Sequence, residues 1–132
     1  MVEQTPLAKT VFLCDEVVRD AAKNKVSILN MFDTVRLRAD DSFPYHLRKI
    51  CVFAECSDGL GPFTFYVEIE RTSTEAAVYR SQSHTVTFTD RLKSVKISIR
   101  LTNCIFPEPG EYNVQLYCNT TVIGDRILHI IA

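Results

Sequence analysis

Hydrophobic and polar positions alternate along most of this chain. Phe63, Phe65, Val67 and Ile69 would lie on one side of an extended segment, with Thr64, Tyr66, Glu68 and Glu70 on the other. Val95, Ile97, Ile99 and Leu101 repeat the pattern more cleanly, with Lys96, Ser98 and Arg100 facing away. His84–Thr89 alternates again with a small polar face, and Tyr112, Val114, Leu116 and Cys118 share a side. A period of two over such windows predicts half-buried strands. Recurring about every 8–12 residues, such signals point to a sandwich or barrel.

The departures from alternation carry the rest of the topology. Arg48–Cys56 is apolar on both faces in its middle, as expected of a strand covered on both sides. Val26–Phe32 and Thr34–Arg38 read as one long strand broken near Asp33, so that it serves two sheets. Val35 and Leu37 face one way there, and Arg36 and Arg38 the other. Lys9–Asp15 is a plausible first strand. Val17, Val18, Ala21 and Ala22 then fall at helical spacing, which allows one or two helical turns over residues 16–23, and Asn24-Lys25 signals a turn. Ala76–Ser83 has the weak patterning of an edge strand. Ser57–Pro62 is a Gly/Pro turn. Phe43-Pro44-Tyr45, in the longest early loop, sets a proline between aromatics, a context that allows a cis bond; the preferred reading is a trans proline packing two rings over one end.

The closing block completes the picture. Pro107 and Pro109 cannot donate to a ladder and force the chain out of the sheet, and Gly110 permits re-entry. Gly110-Glu111-Tyr112 has the spacing of a tyrosine corner, in which a Tyr opens a late strand and its hydroxyl bonds back to the backbone. Asn119-Thr120-Thr121 turns the chain into a final strand ending on Ile127–Ile131. The sequence contains no Trp and no Cys two residues after Tyr112, which argues against a true immunoglobulin domain but not against its architecture. The expectation is an all-β, single-domain antiparallel sandwich over residues 1–132, immunoglobulin-like or jelly-roll Greek key, with seven to nine strands.

Composition narrows function mainly by exclusion. The 132 residues suit one domain and are too apolar, at 46% hydrophobic, to be disordered. Net charge is −1, without the basic excess that nucleic acid or an anionic membrane would favour, so neither is expected as a partner. Arg36, Arg38, Arg48 and Lys49 are read as solvated strand faces. With no signal peptide and no membrane-spanning run, the expected location is cytoplasmic. Cys14, Cys51, Cys56, Cys104 and Cys118 are odd in number and lie in apolar runs, as buried free thiols do.

No chemical constellation emerges. His46, His84 and His129 lie in separate segments, and Cys51 and Cys56 face opposite sides of one strand, so neither metal nor cofactor is expected. Asp40, Asp41, Asp58 and Asp90 are scattered loop carboxylates that would have to converge to hold calcium. Cys118 and His129 occupy hairpin partners and read as core rather than a reactive pair. Only four glycines are present, at 59, 61, 110 and 124, and they form no phosphate loop. Asp15, Glu16, Arg19 and Asp20 group charge around a short apolar stretch, as a partner-binding edge or the exterior of a helical turn.

The order of these features resembles a group of small bacterial, immunoglobulin-like β-sandwich proteins known as a domain of unknown function. The residues concerned are Cys14-Asp15 after the first strand, Lys25–Asp33, Phe43-Pro44, and Phe106–Tyr112 before the last hairpin. The resemblance implies a sandwich of this length in a bacterial cytoplasm, and no activity. The functional expectation is therefore a non-catalytic protein-binding or assembly module. Its partner is another protein, or a second copy joined through the edge Ala76–Ser83. The alternative is a carbohydrate or small-ligand-binding jelly roll using the loops Phe43–Leu47 and Ser57–Pro62, with Tyr45 as a stacking face.

Overall fold

A computed structural model describes residues 3–23 and 25–132. Ten strands form two sheets: β1 (Leu7–Asp20), β2 (Lys25–Met31), β3 (Thr34–Arg36), β4 (Tyr45–Ser57), β5 (Gly61–Arg71), β6 (Ala77–Arg80), β7 (His84–Phe88), β8 (Val95–Phe106), β9 (Gly110–Cys118) and β10 (Thr121–Ile131). One sheet runs β2-β1-β4-β8. The other runs β3-β10-β9-β5-β6, with β7 also pairing with β5. Consecutive β4 and β5 lie in different sheets, as do β8 and β9, which gives a Greek-key sandwich of immunoglobulin-like type. The count exceeds nine because one expected strand is divided. The run from Val26 to Arg38 breaks at Phe32-Asp33, so that β2 joins β1 in one sheet and β3 runs parallel to β10 in the other.

β6 and β7 correspond to the separately expected strands Ala76–Ser83 and His84–Thr89, with a short interruption between them. Ser81 keeps the interruption paired to β5: its N–H donates to the Val67 carbonyl at 2.8 Å, and its hydroxyl accepts from the Val67 N–H at 2.8 Å. Together β6 and β7 form the broken edge of the larger sheet.

The alternating residues meet between the sheets. Phe65, Val67, Ile69, Ile99, Leu101, Tyr112, Val114 and Leu116 are each no more than 2% exposed. Gly124 lets β10 approach β1, because a Cβ there would stand 2.7 Å from Val11 Cγ2. The tyrosine corner is present. Gly110 re-enters at φ 141°, and the Tyr112 hydroxyl donates to the Glu108 carbonyl at 2.6 Å. Arg71 braces it, donating to the Pro109 carbonyl at 3.1 Å and pairing with Glu108 at 3.0 Å.

Two expectations are corrected. Residues 16–20 continue β1 rather than turning into a helix. β-branched Val17 and Val18 pair with Ile28 and Ser27, a complete ladder that eight helical residues could not match. The turn comes at residues 21–23, where the Asp20 carboxylate accepts from the Ala22 and Lys23 N–H groups. Asn24, half of the expected turn signal, lies outside the described residues. The Phe43-Pro44 peptide is cis, not trans.

Candidate functional site

The residues with nucleophilic or metal-ligating side chains are kept apart or sealed. All five cysteines are free and buried. Burial pushes the thiols of Cys14, Cys56 and Cys118 up to about 11 and that of Cys104 up to about 12, so these four stay protonated near neutrality. Cys118 and His129 do not meet. Cys118 pairs with Thr121 beside the hairpin turn, and His129 with Glu111 at the far end. Seven positions along a strand at about 3.3 Å each separate them. Nor is His129 core. Its neighbours Leu128 and Ile130 point inward, which turns it to solvent. His46 and His84 stand exposed on β4 and β7.

The loop carboxylates also fail to converge. Asp41 accepts from the Arg38 N–H and Asp90 from the Leu92 N–H, each capping its own turn. No group of three metal-ligating side chains occurs among the described residues. The loops expected to share a ligand, Phe43–Leu47 and Ser57–Pro62, flank opposite ends of the thirteen-residue β4. Tyr45 packs half-buried against the core and lines a surface depression at the Phe43–Leu47 end only. Arg38, Arg48 and Lys49 do border one shallow depression, but Asp41 shares it and Lys49 is engaged by Glu16.

One place does bring several elements together. β1 pairs with β4 only as far as Cys14↔Cys51. Beyond that point the β1–β2 hairpin swings across the outer face of its own sheet. The Glu16 carboxylate reaches Lys49 on β4 at 2.5 Å and Arg100 on β8 at 2.9 Å. These two cations, Lys49 foremost, hold the Glu16 carboxyl below its ordinary range. Farther along, the Arg19 guanidinium donates to the Lys96 carbonyl on β8 at 2.8 Å. The covering explains why Cys51 and Phe53, outward by alternation, are only 4% and 5% exposed.

A groove of about 570 Å³ opens beside this clamp. Its floor is the outer edge of β8 at Ser98, Arg100 and Thr102. One wall is Glu16 and Val17, and the other is the β6–β7 edge from Tyr79 to His84. At one end the Thr102 N–H donates to the Tyr79 hydroxyl at 3.3 Å, tying the two sheets' edges together. The charged stretch at residues 15–20, noted in the sequence, supplies one wall of this feature through Glu16. Tyr79 and Arg100 carried no local signal, because β6 and β8 are neighbours only through the closure of the sandwich.

The model of a family of unknown function, DUF6941, matches residues 9–131. No curated protein sequence matches this chain. Among solved structures, a β-glucosidase from Listeria innocua in complex with glucose aligns with TM-score 0.51 and 13% identity over 76% of this chain. The same enzyme in complex with isofagomine aligns with TM-score 0.51 and 10% identity over 95% of this chain. This chain spans only 15% and 16% of those glucosidase chains, so the likeness is one of fold.

Proposed function

The chain belongs to the DUF6941 family, and from that premise we propose that it is a non-catalytic module that binds another protein through a sheet edge. The observation that carries this reading is the edge of β8, a long strand whose outer backbone groups face an open groove while the nucleophiles and histidines are buried or dispersed. A sandwich with unpaired edges and no convergent side-chain chemistry recognises partners most readily by strand addition. Five free thiols accord with a reducing, cytoplasmic setting.

The expected edge at Ala76–Ser83 is a second surface of the same kind. β6 does end its sheet, but it is four residues long, its register shifts between Ile69 and Glu70, and Tyr79 already leans on β8. Self-association through it would give a dimer in light scattering that Val78→Pro abolishes.

Site-specific photo-crosslinking tests the reading as a whole. A photoreactive residue placed in turn at Ser98 on β8, Gln82 beside β6 and Ser27 on β2, in cells that make the protein, should give discrete protein adducts at one of these edges. Glu68, on the outer face of the other sheet, serves as the control. Absence of protein adducts at every edge overturns it.

A further inference from the structure

β8 pairs with β4 throughout, with Lys96↔Glu55, Ser98↔Phe53, Arg100↔Cys51 and Thr102↔Lys49 opposite one another. In an antiparallel ladder alternate residues turn both N–H and C=O toward the partner, and the residues between turn both away. Two independent hydrogen bonds fix the phase here. The Thr102 N–H is taken by Tyr79 and the Lys96 carbonyl by Arg19, neither of them on β4. Lys96, Ser98, Arg100 and Thr102 therefore present their backbone groups to the free edge. The outermost two are capped, whereas Ser98 and Arg100 have no protein partner for theirs among the described residues.

The capped ends define a slot. Lys96 to Thr102 spans about 20 Å at ~3.3 Å per residue, enough for a strand of about five residues. The groove above it, about 570 Å³, falls within the ~300–1,000 Å³ typical of ligand clefts. Its charge is one-sided. Glu16 is the one carboxylate lining it among the described residues, and that carboxylate is shared between Lys49 and Arg100. The Arg80 guanidinium is committed elsewhere, stacked 4.2 Å above the Tyr66 ring. Arg100 pairs with Glu16 through one Nη at 2.9 Å, yet its side chain is 58% exposed and lies beside the unpaired backbone.

We propose that the β8 edge between Lys96 and Thr102 takes a short extended peptide as an added strand, with an acidic side chain of that peptide seated at Arg100. Backbone pairing at Ser98 and Arg100 supplies affinity without reading sequence, and the carboxylate–guanidinium contact sets the register. The inference rests on the protein-binding reading above. If the peptide fails while crosslinks form at another edge, the slot is wrong and the reading stands.

The probe is acetyl-Val-Thr-Asp-Thr-Val-amide, titrated into the isotope-labelled protein and followed by amide NMR shifts. Shifts centred on Ser98 and Arg100 are expected, with at least tenfold weaker binding of the peptide carrying Lys in place of Asp. An analogue N-methylated at alternate amides should not bind. Ser98→Pro should abolish binding with the fold intact, because the Ser98 N–H is not part of the β4 ladder. Arg100→Glu should reverse the preference toward the Lys peptide. No shift at Ser98 and Arg100 at millimolar Asp peptide, or equal binding of the N-methylated analogue, overturns the proposal.

Discussion

The Arg19 guanidinium donates a hydrogen bond to the carbonyl oxygen of Lys96, which lies 77 residues further along the chain. This contact joins the tip of the β1–β2 hairpin to the far edge of its own sheet across β4. An otherwise free-standing two-stranded ribbon is thereby pinned down, and such a ribbon alone is marginal in water. Arg19→Ala should accelerate hydrogen exchange of the hairpin amides from Val26 to Asn30 severalfold, with the exchange of β9 and β10 unchanged. Uniform acceleration across the domain would show that the hairpin and sandwich open as one unit.

Glu16 provides a pH dependence of known sign. Its folded-state carboxyl lies below the ordinary glutamate value of 4.5, held there first by Lys49 and then by Arg100. Depression in the folded state means that its contribution is present above that ordinary value and is lost as pH falls through the lower folded value. Hairpin protection should therefore decline in acid, and Glu16→Gln should flatten that decline. The measurement is hydrogen exchange of residues 25–31 across an acid series, corrected for intrinsic rates.

Tyr112→Phe removes one hydroxyl and leaves the Glu108 carbonyl without its donor. Arg71 also loses an acceptor at 3.4 Å. A loss of about 1–2 kcal/mol is expected from denaturant unfolding with an unchanged slope. A change below a few tenths would mean that Arg71 alone holds the corner.

Gly124→Val places a branched side chain where even a Cβ would stand 2.7 Å from Val11. Overpacking between β10 and β1 should cost about 1–3 kcal/mol. Pairing that change with Val11→Ala should recover part of the loss, which a double-mutant cycle would read directly.

The buried thiols offer a kinetic check. Cys14, Cys56, Cys104 and Cys118 should resist iodoacetamide at neutral pH in the native protein and react promptly once it is unfolded. Rapid native labelling of Cys118 would revive a reactive role for it.

Much of the sandwich was legible because alternation is local. Ile97, Ile99 and Leu101 state their face within seven residues, and the Pro107–Tyr112 corner states its geometry within six. The break near Asp33 was readable for the same reason. Misread were the places where a distant partner decides. Val17, Val18, Ala21 and Ala22 sit at helical spacing, but the apolar run from Val26 to Leu29 offers β1 a ladder, and the ladder prevails. His129 looked buried beside apolar neighbours, yet alternation turned it to solvent. The groove was hidden altogether. It depends on Tyr79 meeting Thr102 and on Glu16 crossing β4, and neither meeting leaves a trace in local pattern.

The parallel pairing of β3 with β10 has a consequence in time. His129 meets Thr34, Ile130 meets Val35 and Ile131 meets Arg36, so an early segment is completed by one from the far end of the domain. Closing so long a loop costs entropy before three register pairs can repay it. This corner of the larger sheet should form late, after the β9–β10 and β1–β2 hairpins have gathered. Val35→Ala should accordingly speed unfolding while leaving the refolding rate nearly unchanged.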